Sequence, residues 1–364
     1  MTIKTNNQYV ILCPVATDPK KVPGNQLFGS NYFEQVAKED FGKEVKVKYL
    51  RFDQKNYGSL HTCFLNVLLA YKIMRAKHDL VYYCTDPVPL FLLAFLHTIG
   101  IYRKPIIAWK YIAINHTGNW LKDQIKKFSY KGFYKLFMVT EKHVKDSIKE
   151  GLIDGNKLIY KKWGEDLIYV DKLKAGKSDK FTFITTGKAY RDFKTLCEAF
   201  GKVKNASLKI FTAKEWGPFK YTDYLNTVNN PNIEIAYAED LIKVNRGGYE
   251  TVLDYLYSEM HKASCAVSIC RPVNFGVGYT QVLDSLACSI PVIATWNKDN
   301  PVDLDKYKVG MTVKAEDADD LARVMNYMVT HPDECSKMGI NGRHLVEQEY
   351  NIRNTAHEVL KCFI

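Results

Sequence analysis

The sequence predicts an α/β fold with two Rossmann-like, doubly wound domains, each a parallel sheet covered by helices. Short apolar runs typical of strands alternate with segments of helical period, and this alternation indicates parallel sheets. The alternation stops over residues 163–180, a charged stretch without a clear period, and then begins again. A length of 364 residues is enough for two domains of ordinary size.

The first predicted domain covers residues 1–165, and a C-terminal helix within 350–364 is expected to pack back on it. Its predicted strands are Val10–Cys13, Val45–Leu50, Leu80–Cys84, Pro105–Trp109, Leu136–Thr140 and Leu158–Lys161. Its predicted helices are Asn31–Asp40, Leu60–Arg75, one from Pro89, and Glu141–Glu150. In the second of these helices, one apolar face is formed by Leu60, Phe64, Val67, Leu68 and Tyr71.

The second predicted domain covers residues 178–349, with 163–180 as the linker. Its predicted strands are Phe181–Ile184, Leu208–Phe211, Ile233–Ala236, Ala266–Ile269 and Val292–Ala294. Its predicted helices are Asp192–Phe200, Glu250–Ala263, Tyr279–Ala287, Ala318–Val329 and Pro332–Glu349. Two such domains facing each other across a cleft would place a ligand at the carboxyl ends of their strands.

The charge distribution and the cysteine content indicate the kind of partner and the cellular compartment. Residues 1–175 hold 28 Lys and Arg against 16 Asp and Glu, whereas the remainder is nearly neutral. This asymmetry indicates either a polyanionic partner or a general solubility charge. Nine scattered cysteines without a CxxC pair, and no apparent signal peptide, favour a cytoplasmic protein with reduced thiols. The apolar run Leu90–Tyr102 is too short to span a bilayer.

The loop after the strand Phe181–Ile184 carries two cations. Gly187 makes the turn, and Lys188 and Arg191 precede a helix that Asp192 is suited to cap. Arginine binds a diphosphate as a fork and lysine as a point charge, so the loop is a candidate phosphate site. The alternative is a turn whose cations contact only water.

The stretch from Cys265 to Thr295 has the order strand, loop, helix, strand. Its loop brings the backbone N–H groups of Gly278, Tyr279 and Thr280 to a helix N-terminus, where free N–H groups and the helix dipole favour an anion. Both loops follow strands of one predicted sheet and can converge on one ligand. The alternative is an ordinary strand-to-helix turn.

Three segments carry a family resemblance: TTGKAYRDFKTLCEAF, NFGVGYTQVLDSLACSIPVIAT and FMVTEKHVKDSIKEGLIDGNKLIYKKWGEDLIYV. They resemble glycosyltransferases of the GT-B fold, especially the retaining family 4. The resemblance implies that Lys188 and Arg191 bind the diphosphate of a UDP- or GDP-sugar, and that Asp284 holds its ribose. The family has an acid eight positions earlier, against the transferred sugar, where this chain has Gly276. Asn274 or a backbone amide is the expected replacement.

The resemblance also implies transfer with retention to a glycan or lipid-linked glycan, without a cofactor, a metal or a protein nucleophile. His116 matches a family histidine near the sugar and acceptor and is the candidate catalytic residue, with Lys110 and Tyr111 as alternatives for that position. Gly24 and Asn25 match the family's acceptor loop. The acid pairs Asp303/Asp305 and Asp317/Asp319 are the alternative that would hold Mg²⁺.

The run Trp120–Phe137 interleaves five lysines with aromatic and aliphatic residues. Leu121, Ile125 and Phe128 share a helical face, which fits an amphipathic helix on an anionic membrane, and hence a peripheral membrane protein. The alternative is a helix whose apolar face meets the core; nucleic acid ranks last as a partner.

Two other functions remain open: a glucosyltransferase of modified DNA, favoured by the basic first half, and a catalytically silent binding protein, favoured by Gly276.

Overall fold

The computed structural model describes residues 8–52, 59–243 and 251–364, and for residues 59–63 and 242–243 it describes the backbone only. Its strands are β1 Tyr9–Val15, β2 Val45–Arg51, β3 Leu80–Tyr83, β4 Ile106–Lys110, β5 Lys135–Met138, β6 Leu158–Tyr160, β7 Phe181–Thr186, β8 Ala206–Thr212, β9 Glu215–Trp216, β10 Phe219–Lys220, β11 Ile233–Tyr237, β12 Cys265–Ser268, β13 Val292–Thr295 and β14 Gly310–Val313.

The helices in the described residues are α1 Phe33–Phe41, α2 Ser59–Arg75, α3 Phe91–Thr98, α4 Trp120–Lys131, α5 Glu141–Glu150, α6 Leu167–Asp171, α7 Phe193–Phe200, α8 Thr222–Leu225, α9 Ala238–Lys243, α10 Val252–Lys262, α11 Tyr279–Ala287, α12 Leu304–Tyr307, α13 Ala318–Thr330, α14 Pro332–Glu349 and α15 Ile352–Leu360. Glu250, where the sequence predicts the start of a helix, lies outside the described residues. None of the helices in these ranges is both long and apolar enough to cross a membrane.

The chain forms two compact units, Met1–Gly164 with Ile352–Ile364 (unit 1) and Glu165–Asn351 (unit 2). The charged segment predicted as a linker therefore belongs almost entirely to unit 2. It contains helix α6, whose Val170 is fully buried in the unit 2 core. Helix α6 is only five residues long, so it leaves little periodicity in the sequence, which is why the segment resembles a linker.

Unit 1 is a six-stranded parallel sheet in the order β2-β1-β3-β4-β5-β6. Helix α15 packs beside α1, where Arg353 pairs with Glu39 and Asp40. Helices α2, α3 and α4 follow strands that step across the sheet in one direction, so right-handed crossovers place them on one face.

The apolar face predicted for helix α2 is not the face that packs. Leu69, Ala70 and Ile73 are buried in the core of unit 1. Phe64, Val67, Leu68 and Tyr71 are exposed, and the side chain of Leu60 lies outside the described part. The helix is apolar on two sides, so its sequence does not show which side meets the sheet.

Unit 2 is a second six-stranded parallel sheet, in the order β11-β8-β7-β12-β13-β14. Numbered within the unit, this is the 3-2-1-4-5-6 winding of dinucleotide-binding folds. The strand order reverses between β7 and β12, and the loops that follow these two strands meet at that point. The short hairpin β9–β10 lies after β8.

Candidate functional site

Two loops are joined where the sheet of unit 2 reverses direction. The loop after β7 and the loop after β12 meet in an isolated antiparallel bridge between Arg191 and Cys270. The Arg271 N–H donates to Tyr190 O at 2.8 Å, and the Asp192 N–H donates to Ile269 O at 3.1 Å. The two candidate phosphate loops predicted from the sequence therefore form one backbone-bonded junction.

Arg191 is a buried cation at this junction, with only 3% of its surface exposed. Its Nη1 donates to Ser268 Oγ and to Cys270 Sγ, each at 2.9 Å. The two acceptors are a hydroxyl and a cysteine sulfur. Within the described residues the guanidinium forms no ion pair, and its Nε has no hydrogen-bond partner. A cation removed from water without an anion is unfavourable, so this position is suited to a negatively charged ligand.

Two glycines enclose the guanidinium from either side. Gly187 has φ of 92°, and a Cβ added there would lie 2.7 Å from Arg191 Nη2. Gly278 has φ of 77°, and a Cβ there would lie 2.5 Å from Ser268 Oγ and 3.0 Å from Arg191 Nη1. Both positions therefore need glycine for the left-handed backbone and for the close approach to the cation.

Lys188 lies on the same loop but is exposed. The loop is held by Tyr221, whose hydroxyl donates to the Lys188 carbonyl and accepts from the Arg191 N–H at 3.2 Å. Asp192 caps α7 by accepting from the Thr195 N–H, as the sequence predicts. The loop thus combines one buried and one solvent-facing cation on a fixed backbone.

Helix α11 begins at the same junction. Gly278 is its N-cap, and the next residues are Tyr279 and Thr280. In the described residues no side chain caps this end of the helix, and helix N-termini favour anions. The structure therefore brings Gly187, Lys188, Arg191 and this helix start together.

A cavity of about 570 Å³ opens at the carboxyl ends of β12, β13 and β14. Ser268 and Cys270, the two acceptors of the buried guanidinium, are part of its wall. The wall also includes Asn274, the exposed Trp296, and the cations Arg271, Lys298 and Lys314. None of the described residues that line it is acidic. Its volume is in the range of small-ligand pockets, and its charge favours an anion.

Aromatic rings surround the mouth of the junction. Tyr190 has φ of 54°, which is strained for a residue other than glycine. Its ring contacts those of Trp216, Phe219 and Phe275, with centroids 4.6, 6.1 and 5.3 Å away. The Arg271 guanidinium lies 5.0 Å from the centroid of the Phe219 ring. These half-buried rings offer flat apolar surface beside the cations.

Asp284 lies on α11, away from the wall of this cavity. Its Oδ1 accepts a hydrogen bond of 2.6 Å from the Tyr257 hydroxyl. Burial raises the pKa of Asp284 to about 6, while hydrogen bonds from Tyr257 and Glu165 oppose the rise. Glu165 is itself fully buried. The structure therefore places the predicted ribose ligand, which is partly exposed, in a network with a buried tyrosine and a second, buried carboxyl group.

Gly276, which stands where the family has an acid, has no room for a side chain. A Cβ there would lie 2.8 Å from Asp299 O and 3.5 Å from Asn300 Oδ1. The loop after β13 thus occupies the space next to this position. Asn274, the expected replacement, is exposed on the cavity wall.

The predicted site residues of unit 1 are held within that unit. His116 Nδ1 lies 2.9 Å from Asp123 Oδ2, and Nε2 lies 3.1 Å from Glu150 O. The hydrogen bond with Asp123 raises the pKa of His116, which favours the imidazolium with both nitrogens donating. The pKa of Asp123 is lowered to about 2, mainly by the Thr117 N–H. His116 therefore connects α4, through Asp123, to α5, through Glu150, and this structural role accounts for its position.

Gly24 and Asn25 lie in a buried 3₁₀ turn after β1. The Trp163 Nε1–H donates to Asn25 O at 2.9 Å, and the Trp163 ring stacks on Phe28. The acid pairs have local roles, since Asp303 caps α12 and Asp317 caps α13. In the described ranges no group of three or more His, Cys, Asp or Glu side chains is arranged to hold a metal ion.

Sequence reasoning missed Tyr221, Ser268, Cys270 and Tyr257. Each contributes a single polar atom to the site from a segment distant in sequence. A Cys or Tyr beside an apolar run is typical of ordinary core packing, so no local pattern distinguishes these residues. Only the strand order brings them to Arg191 and Asp284.

No family model and no curated protein matches the chain. Several solved structures do match it. A glycosyltransferase from Rickettsia africae ESF-5 has a TM-score of 0.68 at 15% identity, over 98% of both chains. Sucrose-phosphate synthase from Thermosynechococcus elongatus has a TM-score of 0.68 at 14% identity, also over 98% of both. HepE from Anabaena, in complex with UDP and glucose, has a TM-score of 0.66 at 12% identity, over 98% of this chain and 99% of HepE. The likeness establishes the fold, which is the GT-B class predicted from the sequence.

Proposed function

We propose that the chain is a glycosyltransferase that moves a sugar from a nucleotide-sugar to a glycan or a lipid-linked glycan. The observation that carries this proposal is the buried guanidinium of Arg191, which has no ion pair among the described residues, beneath a cationic cavity at the point where the sheet reverses. The GT-B neighbours support it, because one is named a glycosyltransferase and another is in complex with UDP and glucose.

In this proposal the diphosphate lies between Arg191, Lys188 and the start of α11, where the N–H groups of Gly278, Tyr279 and Thr280 receive it. Asp284 holds the ribose, and Asn274 faces the sugar from the cavity wall. The donor is a UDP- or GDP-sugar, whose base has the rings around Tyr190 as a stacking surface. Gly24, Asn25 and His116 belong to the acceptor side, in unit 1.

The chemistry that these residues can supply is charge stabilisation. As the sugar–phosphate bond breaks, negative charge grows on the leaving diphosphate, and the fixed cations and N–H groups offset it. We propose that the sugar keeps its anomeric configuration and that these cations do the work that a metal does in other enzymes. Activity that persists after treatment with EDTA is the expected outcome, and loss of activity would contradict the metal-independent form of the proposal.

The direct test is a panel of UDP- and GDP-sugars, with release of free nucleotide as the readout. We expect steady release from one donor, and a decrease of about 100-fold or more in Arg191→Ala and about tenfold in Lys188→Ala. Arg323→Ala, which removes an exposed arginine paired with Asp320 on α13, is the matched control. Wild-type turnover in both site variants would rule out the donor assignment.

A catalytically silent nucleotide-sugar binding protein is the second candidate, favoured by the closed space at Gly276. It predicts that calorimetry detects UDP or GDP binding while no donor and acceptor pair gives turnover. Release of nucleotide with any donor, above the rate without enzyme, excludes this candidate.

A further inference from the structure

Helices α2, α3 and α4 form a continuous layer over one face of the unit 1 sheet. Adjacent helices of this layer contact each other. Between α3 and α4, the rings of Phe95 and Phe128 lie 5.1 Å apart, and the Thr98 hydroxyl donates to Phe128 O at 3.2 Å. The outer side of this layer is one surface, which we call the three-helix surface.

The three-helix surface exposes large apolar side chains. On α2, Phe64 is 62% exposed and Val67 53%; on α4, Trp120 is 74% exposed, Leu121 60% and Ile125 56%. Further exposed members are Leu68, Tyr71, Met74 and Phe95. Single exposed apolar residues are ordinary, but a cluster of this size marks an interaction surface.

The charge of this surface has one sign. From Ser59 to Lys131 the sequence has ten Lys and Arg, three Asp and no Glu. Asp79 and Asp86 lie in the loops on either side of β3, and Asp123 is buried against His116 and Thr117. The described parts of the three helices therefore present no exposed carboxylate. Their exposed cations are Lys72, Arg75, Lys122, Lys127 and Lys131.

We propose that the three-helix surface binds an anionic membrane. Aliphatic side chains gain by entering the acyl boundary, while the lysines around them are attracted to anionic headgroups. A nucleic acid would use the cations but gains nothing from Val67, Leu121 or Ile125. A second copy of the chain would meet like charge with like charge. The proposal goes beyond the proposed function, since it holds whether or not the chain transfers a sugar.

The test is co-sedimentation of the full chain with vesicles of phosphatidylcholine alone, and of phosphatidylcholine mixed with phosphatidylglycerol. We expect binding to the mixed vesicles only, weakened by salt. Lys122→Gln combined with Lys127→Gln should weaken it about 25-fold, at about fivefold for each lysine. Lys194→Gln combined with Lys337→Gln, two exposed lysines of unit 2, is the matched control and should bind as the wild type does.

The apolar part is tested on two helices separately. Leu121→Gln with Ile125→Gln, and Phe64→Gln with Val67→Gln, should each weaken vesicle binding about tenfold or more. All four side chains are exposed, so thermal unfolding should be unchanged. Ile340→Gln, which changes an apolar residue that is 50% exposed in unit 2, is the control.

The proposal would be overturned by equal binding to both kinds of vesicle or by wild-type binding of either apolar pair of variants. A stable dimer that Phe64→Gln with Val67→Gln dissociates, while vesicles stay unbound, would overturn it too. Binding of duplex DNA without binding of vesicles would also overturn it. Arg191→Ala should retain full vesicle binding, so failure of the donor site and failure of this surface are distinguishable.

Discussion

The Arg191 guanidinium and the Ser268 hydroxyl lie 2.9 Å apart, although 77 residues separate them in the chain. Ser268 ends strand β12, and Arg191 ends the loop that follows β7. Their hydrogen bond fixes the direction of a buried cation that has no anion among the described residues. The orientation of the Arg191 guanidinium and its positive charge are therefore separate properties of the site, and different substitutions can remove each of them.

Arg191→Lys keeps a positive charge but loses the planar fork, whereas Ser268→Ala keeps the fork and loses one of its two side-chain acceptors. We expect Arg191→Lys to weaken UDP or GDP binding about 100-fold and Ser268→Ala about tenfold, because a charge-assisted hydrogen bond is worth about 1.5–3 kcal/mol. Isothermal calorimetry measures both. Equal affinity in Arg191→Lys and the wild type would show that the guanidinium does not contact the ligand.

Gly278 and Gly118 provide a matched pair of substitutions. Their φ values are 77° and 78°, but a Cβ on Gly278 meets Ser268 Oγ and Arg191 Nη1, while a Cβ on Gly118 meets nothing within 4 Å. Both alanine variants should lose about 1–2 kcal/mol of unfolding free energy from the left-handed backbone. Only Gly278→Ala should also lose nucleotide binding. Urea unfolding and calorimetry on the two variants separate strain from displacement of the cation, and equal nucleotide affinity in both would contradict this account.

Asp284 should make the protein less stable as the pH rises. Its pKa is about 6 in the folded chain against 3.8 for the free side chain, so the folded state binds the proton more tightly. Stability from this group is therefore greatest below pH 3.8 and is lost as the pH rises through 6, by at most about 3 kcal/mol.

Asp284→Asn removes the loss of stability that accompanies ionisation of Asp284. The asparagine side chain can still accept a hydrogen bond from the Tyr257 hydroxyl. We expect the variant to unfold at higher urea than the wild type above pH 6, with the difference vanishing near pH 4. The exposed Asp333→Asn on α14 is the control for a lost surface charge. If Asp284 also holds ribose, nucleotide affinity falls in Asp284→Asn while stability rises. A wild-type pH profile in the variant would place the titration elsewhere.

Most of the fold follows from the sequence, because each buried parallel strand is an apolar run bounded by turns. The sequence does not indicate strand β14, since Gly310–Val313 is only four residues long and half of it is not fully buried. The two-residue strands of the β9–β10 hairpin are too short to leave any pattern. Helix α2 is apolar on both sides, and only the packing decides which side is covered.

The parts of the candidate site that consist of neighbouring residues in the chain could be predicted from the sequence. Glycine, lysine and arginine after a strand indicate a phosphate loop, and the structure brings that loop to the start of α11. The different burial of Arg191 and Lys188 was not predictable, because it depends on Ser268 and Cys270 from another strand. In the same way, the network of Asp284 needs Tyr257 from α10 and Glu165 from the start of unit 2.

The ion pair of His116 with Asp123 should give a second pH dependence, in the same direction as that of Asp284. The carboxylate raises the pKa of His116 above 6.5, so this contribution to stability is complete below pH 6.5 and is lost as the pH rises through the folded value. His116→Gln should therefore lower stability most at acidic pH, and Asp123→Asn should abolish the same pH dependence. Urea unfolding across this range is the measurement. If His116 is catalytic, as the sequence predicts, His116→Gln would also stop sugar transfer at a temperature where the variant is fully folded and binds nucleotide normally.

Restoring an acid at position 276 should not improve the protein. A Cβ on Gly276 would lie 2.8 Å from the carbonyl oxygen of Asp299, a backbone atom that cannot rotate away as a side chain can. We expect Gly276→Ala and Gly276→Glu to lower the unfolding free energy by about 1–3 kcal/mol, as overpacking does, and Gly276→Glu to leave transfer no faster than in the wild type. Gly176→Ala, at an exposed glycine with nothing within 4 Å of its Cβ position, should be neutral. Thermal unfolding and the nucleotide-release assay test these outcomes. A faster, stable Gly276→Glu would show that the loop after β13 yields to a side chain, and that the sugar half of the donor site is open to a carboxylate.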